Sequence, residues 1–147
     1  MLLAPRILIV EDEADVRTFF ATALHDYGFA VTAAAKGRHA LSLLRDSEFE
    51  LIILDMSLPD IDGLELIRRV RCEFPFLKVA AVSGFMGGAL QREAVSSGAH
   101  LTLRKPTPPM KLRNAVYRVL DGPIVFRPVA AQNPHDILAE MRRSAGH

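Results

Sequence analysis

The chain has 147 residues, the size of one ordinary domain, and half of them are hydrophobic, enough for a single core. Lys and Arg total 18 against 17 for Asp and Glu, a formal net charge of +1, so no overall field gathers nucleic acid or an anionic membrane surface. The one cysteine, Cys72, excludes an internal disulfide and a thiolate metal cluster built by one chain.

Cys72 falls in an apparent helix, where the expected state is a half-buried, inert thiol. The opening Met1-Leu2-Leu3-Ala4-Pro5 is too short for a signal-peptide core, and no apolar run approaches membrane-spanning length. The expectation is a soluble cytoplasmic protein with no membrane or nucleic-acid partner. The longest basic clusters, Arg68-Arg69 and Arg142-Arg143, read as solvated helix faces.

Taken in chain order, two periods alternate. Short apolar runs at Ile7 to Val10, Phe29 to Ala33, Leu51 to Leu54, Val79 to Val82 and Leu101 to Leu103 read as buried parallel strands. Between the first two, Val16, Phe19, Phe20, Ala23, Leu24 and Tyr27 share a helical face, and Gly28 is a suitable stop. Ala40, Leu41 and Leu44 mark a second helix; Leu64, Ile67 and Val70 mark a third. Leu90, Ala94 and Val95 mark a fourth, closed by Gly98. Leu112, Ala115, Val116, Val119 and Leu120 mark a fifth, with Thr107 as N-cap and Pro108 in the first turn.

Alternation of five strands with five helices predicts an open parallel sheet covered on both faces. Ligands of such sheets bind outside the carboxyl ends of the strands. The expected domain covers residues 5–120. Beyond it, Asp121-Gly122-Pro123 breaks the fifth helix, and 121–147 forms an extension in which Asn133-Pro134 could start a short helix carrying Ile137, Leu138 and Met141. That helix either packs on its own domain or frays, or it contacts a partner or a second copy, which could give a homodimer.

The residues just after the strands carry the chemistry. Strand one ends in Glu11-Asp12, strand three in Asp55, strand four in Ser83, and strand five leads into Lys105-Pro106. Taken singly, Asp55 could cap a turn with Pro59, Ser83 could cap a helix and Lys105 could be a surface lysine. Together, three carboxylates at one sheet edge would repel and hold protons unless a cation intervened. A hard divalent ion such as Mg²⁺ suits oxygen ligands, with Asp12 and Asp55 as direct ligands and Glu11 directly or through water. A carboxylate can also attack phosphorus, so Asp55 can be ligand and nucleophile at once. Transfer of a phosphoryl group needs its oxygens neutralised, a task for Mg²⁺, the Lys105 ammonium and a hydrogen bond from Ser83.

From about Arg6 to Leu120 the chain resembles the receiver domains of response regulators. The matching pieces are Ile7 to Glu13, Leu51 to Pro59 followed by Asp62-Gly63, Val82-Ser83, Ser97-Gly98-Ala99 and Lys105-Pro106. The resemblance implies a flavodoxin-like (βα)5 doubly wound α/β fold with strand order 2-1-3-4-5. It also implies two-component signalling, with Asp55 phosphorylated from a sensor histidine kinase or a histidine phosphotransfer protein. The Met56 backbone carbonyl joins the Mg²⁺ ligands, and the Lys105-Pro106 bond is cis, a fixed turn that aims the lysine. Ser57 and Phe85 take the family positions that tune hydrolysis, with Gly84 leaving room beside the phosphoryl group.

Two departures concern output. Thr102 stands where the family usually carries an inward-swinging Tyr or Phe, and being short and β-branched it cannot make that swing. Phe85, two residues after Ser83, is the candidate substitute. Thr107 stands where Phe commonly follows the Lys-Pro pair.

An unphosphorylated pseudo-receiver, binding proteins only, tends to lose the acceptor, an acidic ligand or the lysine; this chain keeps all three. A phosphohydrolase would place a general acid two residues past the nucleophile, where Ser57 cannot serve. The expected protein is therefore no enzyme beyond self-catalysed phosphotransfer to Asp55 and its slow hydrolysis. The segment after Leu120 is too short and proline-broken for a helix-turn-helix, so output is expected through a downstream protein target.

Overall fold

The computed structural model describes residues 4–85 and 87–121, so the expected helix around Ile137 to Met141 lies outside the described residues. Five strands, β1 (Arg6–Val10), β2 (Ala30–Ala34), β3 (Leu51–Asp55), β4 (Lys78–Ser83) and β5 (Leu101–Arg104), alternate with helices α1 (Ala14–Asp26), α2 (Gly37–Asp46), α3 (Gly63–Glu73), α4 (Gly88–Ser97) and α5 (Pro109–Asp121). All pairings are parallel and the order is β2-β1-β3-β4-β5, the doubly wound flavodoxin-like arrangement. None of the helices of the described residues is long and apolar enough to cross a membrane.

Alternation along each strand feeds two cores. Leu8, Val10, Ile52 and Leu54 face the side covered by Leu41 and Leu44 of α2, Ile67 and Val70 of α3 and Ala94 of α4. Ile7, Ile9, Leu51 and Ile53 face the opposite side, against Phe20 and Leu24 of α1 and Leu112, Val116 and Val119 of α5. Central strands buried on both faces explain why β1 and β3 read as unbroken apolar runs.

Most strand ends shift by one residue from the apolar runs. The hydrogen-bonded ladder continues through Asp55, Ser83 and Arg104, because pairing uses backbone groups whatever the side chain. Phe29 precedes β2 instead of opening it. Gly28, at φ 93°, turns the chain after α1, and the Phe29 amide donates back to Leu24, leaving its ring to pack on Tyr117.

Three expectations change. Cys72 is exposed, because α3 turns Val70 and Arg71 inward beside it. Thr107 does not cap α5; it is buried and its hydroxyl donates to the Arg104 carbonyl at 3.0 Å. The helix begins one residue later than expected, with Pro109 in its first position.

Arg71 is a charged residue with only 2% of its surface exposed, on a helix whose apolar stripe gave no hint of it. Its guanidinium donates to the carbonyls of Phe74, Pro75 and Leu77 on one side and Gly98 on the other. A Cβ at Gly98 would meet the Arg71 side chain at 2.9 Å, so glycine there serves both the φ of 124° and this close packing. The arginine thus ties the end of α3 to the end of α4 under the sheet. Replacing it strips four carbonyls of their donor. Arg71→Met is expected to lower unfolding free energy by about 3 kcal/mol in urea titrations, with Arg71→Lys recovering less than half. A methionine variant as stable as the parent would show that water serves these carbonyls equally well.

Candidate functional site: an acidic pocket with a lysine

Apart from Thr102, the expected site residues lie at the carboxyl rim of the sheet, because each ends or follows a strand. The Glu11 amide donates to the Ala34 carbonyl, Met56 to Val82 and Lys105 to Ser83, so ladder bonds extend into the loops and fix their starts. Glu11 and Asp55 are buried and Asp12 is exposed; each offers a carboxylate oxygen within 4.8 Å of the others. The Lys105 ammonium reaches across to both buried acids, 3.0 Å from Glu11 and 3.1 Å from Asp55. The Lys105-Pro106 peptide bond is cis.

Electrostatics in this pocket are unbalanced, with one ammonium set against three acids. Burial pushes the Glu11 carboxyl up from its ordinary 4.5 to about 7, helped by the charge of Asp55 and opposed by the hydrogen bond from Lys105. Burial also works against the Lys105 charge, but its bonds to Glu11 and Asp55 outweigh that and raise its pKa. A donor set of hard carboxylate oxygens, one of them short of countercharge, fits a divalent cation of the Mg²⁺ type.

Asp55 is held at both oxygens: one accepts from the Ser57 amide at 3.0 Å, the other from Lys105. The bond from the Ser57 amide orients the carboxylate within the cluster. Met56 lies under Gly63, where a Cβ would come within 2.6 Å of the Met56 carbonyl oxygen. The Asp62-Gly63 pair thereby serves two ends: Asp62 caps α3 by accepting from the Glu65 amide, and Gly63 lets the Met56 backbone approach.

Ser83 is buried, and its hydroxyl donates to the Phe85 carbonyl at 2.9 Å while accepting from the Phe85 amide. It closes this small turn and does not cap α4. Gly84 is exposed with open space where a Cβ would stand, and Phe85 is 73% exposed. Thr102 sits mid-strand in β5, paired with Ala81, and stays partly buried.

Asp60 was missed in the sequence. Its two oxygens accept from the amides of Gly37 and Arg38 at 3.0 and 2.9 Å, capping α2 from a different loop. Those amide bonds hold the Asp60 carboxyl below its ordinary range, against the opposing effect of burial. A signal existed: α2 follows Lys36, with no Ser, Thr, Asp or Asn of its own to accept from its first amides. The loop after Asp55 is thus stapled to α2.

Comparison with known proteins agrees with this geometry. The family model described as "Response regulator receiver domain" matches residues 7–117. Among curated relatives, the response regulator receiver protein CpdR of Brucella abortus is 34% identical over 115 residues, covering 78% of this chain and 96% of that protein. The alginate biosynthesis transcriptional regulatory protein AlgB of Pseudomonas putida is 32% identical over 116 residues, covering 79% of this chain; the match spans 26% of that longer protein. Among solved structures, the chemotaxis protein CheY4 of Vibrio cholerae superposes with a TM-score of 0.77 at 29% identity, covering 80% of this chain and 99% of CheY4.

The raised Glu11 pKa gives a pH signature. A folded-state value above the unfolded one means the stability it contributes is complete below about pH 4.5 and is lost as pH rises through about 7. In metal-free buffer, Glu11→Gln should therefore gain on the parent in urea titrations between about pH 5 and about pH 8, since the amide carries no charge to bury. Parallel pH profiles for the two proteins would contradict the assignment.

Proposed function

This chain belongs to the response regulator receiver domain family, and from that premise we propose that Asp55 accepts a phosphoryl group from a phosphohistidine. The observation that carries the reading is Lys105, its ammonium 3.1 Å from Asp55 and 3.0 Å from Glu11 inside a three-carboxylate pocket. The phosphodonor is a sensor histidine kinase or a histidine phosphotransfer protein. Residues 5–120 form the receiver and 121–147 its extension, and a kinase drawing on ATP implies a cytoplasmic location.

An Asp55 oxygen attacks phosphorus in line as the phosphorus–nitrogen bond to the donor imidazole breaks, and the imidazole leaves with a proton from solvent. The carboxylates of Glu11, Asp12 and Asp55 and the Met56 carbonyl would hold Mg²⁺. When bound, that ion supplies positive charge to the phosphoryl oxygens. Lys105 trades its bond to the Asp55 carboxylate for one to a phosphoryl oxygen. Ser83 gives up the Phe85 carbonyl and donates to another. Because the Ser83 hydroxyl and the Phe85 backbone bond each other, that exchange frees the segment bearing the Phe85 ring. This is a route for the signal that needs no aromatic at Thr102. Ser57, bonded to Asp55, and Gly84 and Phe85, which follow Ser83, set how readily water reaches the acceptor in this reading, while Pro106 follows the lysine.

The donor histidine must come close to Asp55, so its carrier rests on the surface beside Lys105. An apolar cavity of about 470 Å³ lies there between α1 and the β5–α5 connection, walled by Val16, Phe19, Phe20, Pro106 and Pro108. Phe19 is 42% exposed at this surface, which gives an amphipathic donor helix something to bury. Output then passes to a protein target, and no part of the reading calls for DNA binding.

The competing reading is a pseudo-receiver that binds proteins without phosphorylation. Incubation with acetyl phosphate and Mg²⁺ separates the two by intact mass. The parent should gain one phosphoryl group, Asp55→Asn and a chelator-treated sample none, and Lys105→Ala should react roughly a hundredfold more slowly. A parent that stays unmodified, or an Asp55→Asn variant labelled like the parent, would remove Asp55 from this role.

A further inference from the structure

The opposite end of the sheet carries a second cavity, of about 600 Å³, where the chain enters β3 and β4 and leaves α5. Phe49, Phe74, Leu77 and Leu120 form its apolar walls, and Glu48 and Glu50 are among the residues that line it. Both glutamates are exposed. Lys78 is buried at the start of β4, and its ammonium donates to the carbonyls of Val119 and Leu120. That bond pins the last turn of α5 against the sheet, with Leu120 in the cavity wall.

The sequence continues as Gly122-Pro123-Ile124-Val125-Phe126-Arg127. We propose that this cavity is the docking site of the chain's own segment, with Ile124 and Phe126 entering the apolar groove and Arg127 meeting Glu48 and Glu50. Three observations converge on that occupant. Leu120 is a wall residue, and an extended chain covers about 3.3 Å per residue, so Phe126 reaches any part of the groove without a linker. The segment's apolar run, Ile124 to Phe126, starts after only Gly122-Pro123 beyond the helix end. Its first charge is positive, opposite to the two lining acids.

Docking here makes the segment a strap over the amino ends of the strands, remote from Asp55. It leaves the acidic pocket and the cavity beside α1 uncovered. Any partner contact made by residues beyond Arg127 therefore starts from the far rim of the domain. The proposal stands independently of phosphorylation at Asp55.

Methyl-labelled NMR of the full 147-residue chain tests it directly. Nuclear Overhauser contacts are expected from the Phe126 ring to the methyls of Leu44 and Leu77, both lining the cavity. In Phe126→Asp those methyl signals should shift and the contacts vanish, with signals around Asp55 unmoved. In Arg127→Glu the contacts should weaken. Contacts that appear only between differently labelled copies in a mixed sample would overturn the proposal in favour of a second copy as occupant. Absence of contacts in the parent, with Leu44 and Leu77 unshifted in Phe126→Asp, would overturn it outright.

Discussion

Three carboxylates sharing less than 5 Å of space at a sheet rim are in conflict with one another, and the site is organised around that conflict. Lys105 resolves part of it by bonding both buried acids. The part left over appears as a Glu11 carboxyl displaced to about 7, poised to yield its proton to a stronger cation. The lysine is itself held in its charged form by the same acids, so each partner fixes the other's protonation. A pocket with this remaining demand for positive charge suits both a hard divalent ion and the charge that builds on a transferring phosphoryl group.

The fold's contribution is convergence. Glu11, Asp55, Ser83 and Lys105 are far apart in sequence, yet parallel strands in the order β2-β1-β3-β4-β5 bring their ends to one edge. Backbone bonds running past the strand ends then set the loops. Asp60 capping α2 and Gly63 giving way to Met56 fix the loop after Asp55 from both sides. At the opposite edge, Arg71 and Lys78 spend buried positive charge on backbone carbonyls. Cationic side chains thus hold backbone carbonyls at one rim and carboxylates at the other.

Strands and helices were legible because burial on both faces writes unbroken apolar runs and amphipathic stripes. The acidic pocket was legible too, since polar residues stand out directly after such runs. What stayed hidden depends on partners distant in sequence. Nothing around Arg71 announces that Gly98 will lie beside it, and the register that exposes Cys72 follows from burying that arginine. Thr107 reads as a helix cap from local propensity, but the tight connection after β5 turns its hydroxyl toward Arg104. Asp60 is invisible from its own segment and inferable only from the missing cap of another.

Calorimetry of Mg²⁺ binding reads the charge balance of the acidic pocket. Titrations near neutral pH in buffers of different ionisation enthalpy give the protons released per ion bound. Binding should be accompanied by release of a fraction of a proton, with that release absent in Glu11→Gln. Binding without any proton release, or no binding to the folded protein at all, would contradict this charge balance.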